Sequence, residues 1–577
     1  MRRLVASFFL VLCVVSCAGP GPIGDVDPLE AFLDAGFEAV RHARAQRGEA
    51  FREFREGMAA AAEQAGDEEL ARTVRGLEPG RRVAPDERTL ASRVLRHYVM
   101  ARYGVRMITD LQHIVGFRTY AEEGRENWQA PEFVRQRQWL ETRAGQLGLD
   151  FQSVDGRVEE IVLAAGGGER VIGVLTHGDV QGVEGQTWSV PPWDGRQIGE
   201  RIVGRGTEDD KGPIITTMHV MAALRDSGWP LDAELRLMIA NGEESSWEEI
   251  PYYLERRDPP DVTLGIDASY PVTHAQKAWC SLDFTAIAAT GGAGASPGSW
   301  RVLSVSGGSG LSIIAERAAA RLEPPAAVFG AAEQLRASAA DWAAAHPPAR
   351  LEVSEGEQGI VLHAHGRGGH SSEPSNGHNA FGDLTAFLVT LELVPDAWGS
   401  LVRFIGLAVG TETDGAGLGL AHDDPVMGPL TANLGRFDLH GGWPRARLSL
   451  RVPRGLDAAT IEARVTERLA AFAQRERVTI EAEIDMPYPP HFVPPDGPLV
   501  RTLLAVWEEV TGEPGSPVAI GGGTQSRFFP GGVDFGPAVT MERYRGHGPD
   551  EYVTFDEIRR NAELTIAALW ALTASGP

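Results

Sequence analysis

The chain has 577 residues and 43% apolar content, enough for two or three domains with buried cores. Its formal charge of −25, from 79 acidic against 54 basic residues, argues against a nucleic-acid binder, which needs a basic face to displace counterions. That balance leaves the charge of a small ligand open, because the cations of a site dominate locally.

At the N-terminus, Arg2 and Arg3 precede an apolar stretch over 4–15 that is too short to span a bilayer, and Val14-Val-Ser-Cys17 resembles the lipobox of bacterial lipoproteins. The expectation is a leader over 1–16, a lipid anchor on Cys17 as the only membrane contact, and a place in the cell envelope, periplasmic or outer. An ordinary secretory leader cut nearby is the other reading, and it also exports the protein. Cys13 falls in the discarded stretch, so Cys280 is left without an intramolecular partner. From Asp25 to about Gly104 the sequence is rich in Ala, Glu and Arg, with Phe32, Val40, Phe51 and Met58 at helical spacing. We read a helical extension over 25–104 that either packs on the rest of the chain or sets it off from the membrane.

The next segment carries chemistry-bearing side chains in a fixed order. Residues 171–176 are apolar and branched, bounded by glycine, and suit a buried strand whose end delivers His177 and Asp179. Asp209-Asp210-Lys211-Gly212 comes after it. Ile214, Ile215, Met218, Met221 and Leu224 then recur at helical spacing, and Leu235, Leu237 and Ile239 alternate as a strand leading into Glu243-Glu244. Asp267 and, far downstream, His547 complete the set. Strand ends in an open α/β sheet face a common crevice. Imidazole with carboxylate suits zinc, and one carboxylate can bridge two cations about 3.5 to 4 Å apart. Asp179 can hold the His177 ring by accepting the proton on its other nitrogen.

Each piece alone has an ordinary reading. His177 and Asp179 can be a surface pair, Glu243-Glu244 a solvated helix start, and Asp209-Asp210 a turn or N-cap. The order of all of them, each at the end of an element, favours the metal reading.

The stretches Thr176-His-Gly-Asp-Val180, Gly204-Arg-Gly-Thr-Glu-Asp-Asp-Lys-Gly-Pro213, Asn241-Gly-Glu-Glu-Ser245, Gly265-Ile-Asp-Ala-Ser-Tyr-Pro271 and His547-Gly-Pro-Asp-Glu551 resemble the zinc aminoacylase, carboxypeptidase and dipeptidase family of metallopeptidases. The resemblance implies two Zn2+, with Co2+ or Mn2+ in substitution. His177, Asp209 and Asp267 would hold one, and Asp209, Glu244 and His547 the other. It implies Glu243 as general base, moving a proton from water to the departing amine, and a cis peptide after Asp209. It also implies an α/β fold: a di-zinc catalytic domain with a mixed twisted sheet flanked by helices over 105–278 and 485–577, and an inserted α+β lid over 279–484.

Within the lid, Gly366-Arg-Gly-Gly-His370 resembles the family motif whose histidine stabilises the oxyanion. Residues 446–452 alternate, with Ala446, Leu448, Leu450 and Val452 on one face and Arg447, Ser449 and Arg451 pointing away from the core. Arg451 matches the family position that binds substrate carboxylate, for which a guanidinium fork is suited. Gly521-Gly-Gly-Thr524 reads as a flexible loop presenting amides and the Thr524 hydroxyl to substrate, or as a plain glycine turn. Ala- and Pro-rich sequence over 322–348 reads as a lid insertion. Two departures bear on substrate range: Ser312 stands where dipeptidase relatives carry Asn, and Gln276-Lys277-Ala278 replaces the usual Glu-Lys-Gly. Pro213 and the long lid resemble the dipeptidase branch. Small peptides are thus the expected substrates, with N-acyl amino acids as the alternative and a non-catalytic binding lipoprotein as a reading from another class. Oligomeric state is left open.

Overall fold

The computed structural model describes residues 48–574 apart from 185, 290–295, 309, 326–327, 357–358 and 477. The expected leader, Cys17 and the first part of the helical extension lie outside these residues. The chain divides into two compact units, the first drawn from residues up to Glu249 with Glu509–Gly512 and the segment after Arg545, the second from Ile250–Glu508 and Glu513–Tyr544.

In the first unit, four strands pair in the order Asp150–Val154, Val158–Leu163, Ala233–Ala240 and Arg170–His177. The first two pairings are antiparallel and the last is parallel, with His177 opposite Ala240. Parallel neighbours need a crossover, and the helix Lys211–Ser227 supplies it. Of its 17 residues only Arg225 is not buried, which fits a helix apolar on most sides. Gly212 is needed at its start, where a Cβ would lie 2.3 Å from the Thr207 carbonyl oxygen.

The expected boundary at 104 is displaced. The helix Arg88–Ile114 runs straight through it and packs on the helices Lys211–Ser227 and Phe555–Ala574. Tyr98 and Tyr103 donate their hydroxyls to Asp226 at 2.9 and 2.7 Å, and Phe51 packs edge-on against Tyr98 and Trp229. The described part of the extension therefore shares the core of the first unit, because its apolar face meets the crossover helix.

The second unit contains Val262–Gly265, Val533–Asp534, Val272–Gln276 and His491–Phe492 in one sheet, with Pro517–Ile520 also pairing with Val272–Gln276. It also holds two four-stranded antiparallel sheets. One runs Thr431–His440, Trp443–Val452, Ala278–Ala289 and Val478–Asp485; the other runs Arg301–Gly307, Arg317–Glu323, Gly359–His365 and Arg350–Gly356. A single core that includes Leu282, Phe284, Leu322, Leu362, Phe381 and Leu448 joins them. The α+β character expected of the lid is present, and its last helix and strand are Ala458–Glu476 and Val478–Asp485. The stretch read as an insertion contains a helix, Ala331–Ala345, set between two strands of the second sheet.

One reading is corrected here. Alternation places Arg451 on an outward face, but it is 7% exposed and Ser449 is 1% exposed. Trp443–Val452 is an inner strand, and toward its carboxyl end both of its faces are covered.

Candidate metal centre

The register His177 opposite Ala240 brings two strand ends to the same level. One ends in His177 itself, and the other runs on into Asn241-Gly242-Glu243-Glu244. The His177 N–H donates to Asp210 Oδ2 at 3.0 Å, which ties the turn after Asp209 to that edge. The Asp209–Asp210 peptide is cis, as the resemblance implied.

His177 Nε2 lies 2.9 Å from Asp209 Oδ1, and His547 Nε2 lies 3.1 Å from Asp209 Oδ2 and 2.8 Å from Glu244 Oε1. Ring and carboxylate atoms of Asp209, Glu244 and His547 lie within 4.8 Å of one another, and so do those of His177, Glu243 and Glu244. His547 adopts φ 65°, a left-handed conformation uncommon for non-glycine residues that recurs at functional sites.

The protonation pattern comes from this crowding. Burial alone would raise the Asp209 carboxyl, but hydrogen bonds with both imidazoles hold it well below the usual carboxylate range. Burial raises Glu244, with Asp209 adding to it and His547 opposing. Desolvation pulls His547 down, yet the charges of Glu244 and Asp209 hold it well above its ordinary value.

Asp179 is used differently from expectation. Its main-chain carbonyl, at 3.0 Å, is the partner of His177 Nδ1, while its carboxylate is 3.6 Å from that nitrogen. The carboxylate instead accepts the N–H groups of Glu243 and Glu244, at 3.2 and 3.0 Å. The backbone carbonyl of Asp179, not its carboxylate, meets the His177 ring, and the side chain anchors the Glu243-Glu244 turn.

The sequence reading missed Glu551. This buried carboxylate accepts the N–H groups of Gly206, Glu208 and Asp209 and the Arg205 guanidinium at 2.7 Å. Arg205 also donates to the His547 carbonyl, as does Gln186. One ion pair thus links the loop of Asp209 to the loop of His547. Gln181 Nε2 donates to Glu244 Oε2 at 2.8 Å. Glu551 and Arg205 lie inside the two quoted motifs, so the signal was present.

In the second unit, Asp267 follows the strand Val262–Gly265, and its charge acts on Asp534. His370 is exposed, with Nδ1 held by Ser372 Oγ at 2.6 Å. Arg451 is buried with no carboxylate within ion-pair distance among the described residues, and its Nε has no hydrogen-bond partner. Thr524 departs from the expected substrate contact. Its hydroxyl is buried against Asp534 at 3.0 Å and receives Gln276 Nε2, and its N–H donates to Gln276 Oε1. These bonds occupy the groups expected to face substrate.

The donor set fits divalent metal ions. Two imidazoles present Nε2 to opposite oxygens of one carboxylate, and the Nδ1 bond of His177 to a carbonyl oxygen turns its Nε2 towards the place a cation would take. A mixed α/β unit with such a cluster at its strand ends defines a metallohydrolase. The profile of Peptidase family M20/M25/M40 matches residues 173–571, and the chain belongs to that family. It is accordingly a hydrolase of the metallopeptidase class. A Beta-Ala-Xaa dipeptidase of Lactobacillus delbrueckii subsp. lactis is 28% identical over 433 residues, covering 74% of this chain and 85% of that protein. Among solved structures, human carnosine dipeptidase 1 aligns with TM-score 0.51 at 13% identity, over 84% of this chain and 98% of that one. The di-peptidase Dug1p of Saccharomyces cerevisiae aligns with TM-score 0.51 at 12% identity, over 85% and 100%. These two likenesses concern the fold.

Proposed function

We propose that the protein is an exported dipeptidase, anchored through Cys17, that hydrolyses the amide bond of dipeptides at a two-zinc centre. On this reading His177, Asp209 and Asp267 would hold one ion, and Asp209, Glu244 and His547 would hold the other. The observation that carries this reading is the Asp209 carboxylate, with His177 Nε2 on one oxygen and His547 Nε2 on the other. A divalent pair bound there would supply the Lewis acidity that makes a nucleophile of water at neutral pH and polarises the scissile carbonyl.

The chain's own residues do the rest. Glu243 presents a carboxylate oxygen beside His177 and Glu244, takes the proton of the attacking water, and delivers it to the departing amine. Asp179 fixes the backbone of Glu243 from behind. Arg451, buried without a carboxylate partner among the described residues, receives the substrate's terminal carboxylate as a fork, and His370 donates to the developing oxyanion. The name of the Lactobacillus relative supports the dipeptide over the N-acyl amino acid as substrate.

The test is metal analysis of the purified protein, then turnover on a panel of dipeptides and N-acyl amino acids. Two zinc ions per chain and turnover of dipeptides are expected. Glu243→Gln should keep the metal and lose about 10²- to 10⁴-fold in kcat. Wild-type turnover in that variant removes Glu243 from its role, and bound zinc without turnover of any substrate favours a binding protein.

A further inference from the structure

Three cations of the second unit lie together without ion-pair partners among the described residues. Trp279 stands opposite Arg451 in the antiparallel pairing of Ala278–Ala289 with Trp443–Val452. Lys277 immediately precedes Ala278–Ala289, close enough to Arg451 for the two charges to act on each other. Arg527 donates to the Lys277 carbonyl oxygen through both terminal nitrogens, at 3.5 and 3.4 Å, and to Pro489 O at 2.7 Å. Lys277 Nζ donates to Pro429 O at 2.6 Å. Lys277 and Arg451 are 6% and 7% exposed.

These hydrogen bonds all end on neutral carbonyl oxygens, in a chain with 79 acidic side chains against 54 basic ones. Acidic groups do face the cluster. Glu373 and Asp423 act on Lys277, and Tyr488 and Asp534 act on Arg527, yet none forms an ion pair with these cations. Burial, with Arg527 beside it, depresses Arg451 to about 10. Buried charges persist when they are paired, so the cluster is completed by an anion from outside the chain. One terminal carboxylate answers Arg451 and leaves two cations over.

We propose that Lys277 and Arg527 extend the Arg451 site into a dicarboxylate subsite, selecting substrates whose carboxyl-terminal residue is glutamate or aspartate. This rests on the reading that Arg451 takes the terminal carboxylate. The α-carboxylate meets the Arg451 fork, and the side-chain carboxylate of the same residue meets Lys277 and Arg527. The chemistry is shared by an acidic dipeptide and an N-acyl acidic amino acid.

The experiment compares Ala-Glu with Ala-Gln, and N-acetyl-Glu with N-acetyl-Gln, on the metal-loaded full chain. These pairs differ by one charge at nearly constant shape. In whichever pair turns over, the glutamate member should have kcat/KM higher by about tenfold or more, carried by KM, as a charge-assisted bond requires. The ratio should fall towards one in Lys277→Gln and in Arg527→Gln, while Arg527→Lys, which keeps the charge, should preserve part of it. Thermal melts report whether each variant is folded, and if the neutral variants unfold, the wild-type ratio decides alone. Equal kcat/KM within the wild-type pairs, or a ratio unchanged in both neutral variants, overturns the proposal. Absence of turnover on every substrate is a failure of the catalytic reading, and calorimetric binding of Ala-Glu against Ala-Gln then decides the subsite: tighter Ala-Glu supports it, equal binding overturns it.

Discussion

Asp179 shows how far a motif specifies a role. Its carboxylate accepts two consecutive backbone N–H groups, those of Glu243 and Glu244, so it sets where both carboxylates point. Asp179→Ala removes both acceptors and is expected to lower kcat about 10- to 100-fold, the usual cost of losing an outer partner of a metal site. Asp179→Asn keeps one acceptor oxygen and should fall between. Zinc stoichiometry and kcat measured together check this, and an unchanged kcat in the alanine variant would end the role. The pairing of His177 with Asp179 was legible from the two-residue spacing, but which oxygen meets the ring was not, because a strand end places carbonyl and carboxylate at similar reach. Gln276 is a parallel case. Its amide donates to Thr524, Ser526 and Asp534, a place where the usual glutamate would set a second carboxylate against Asp534. A departure that reads as a change of substrate range is, in this fold, a partner for a buried acid.

At the level of elements, local periodicity was enough to find the helix after Asp209 and the strands on either side of it. It did not tell what each apolar face meets. The helix Glu49–Gln64 was legible as amphipathic, while its seat was not, since that depends on Tyr98 and Trp229 from distant parts of the chain. Phe51 is fully buried between those rings, at centroid distances of 5.0 and 5.2 Å, and Trp229 in turn meets Trp570. Phe51→Ala is expected to destabilise the protein by about 3 to 5 kcal/mol, the range for truncating a core aromatic. The urea midpoint reads it, and a midpoint equal to wild type would make the extension an independent appendage. The burial of Arg451 was hidden for the same reason. Alternation separates the two faces of a strand, but the covering of the outer one comes from residues far away in sequence.

For the whole molecule, the pH dependence of stability carries a signature of a buried acid. Burial pushes the Asp534 carboxyl up to about 7, with the charge of Asp267 adding to it and donors from Ser526, Thr524 and Gln276 opposing. Between the ordinary carboxylate range and about 7 the folded chain holds a proton there that the unfolded chain has released. Unfolding then liberates a proton, so the contribution is fully present below about pH 4 and is lost as pH rises through about 7. Its full size is on the order of 4 kcal/mol. Asparagine imitates the protonated form, because the hydroxyls of Thr524 and Ser526 can turn to accept from its amide. Asp534→Asn should therefore gain on wild type as pH rises from about 5 to about 8, by a few kcal/mol in urea unfolding. The other carboxylates titrate alike in both proteins and cancel in the difference, so two parallel curves would mean that Asp534 is ionised throughout and that its three donors outweigh its burial.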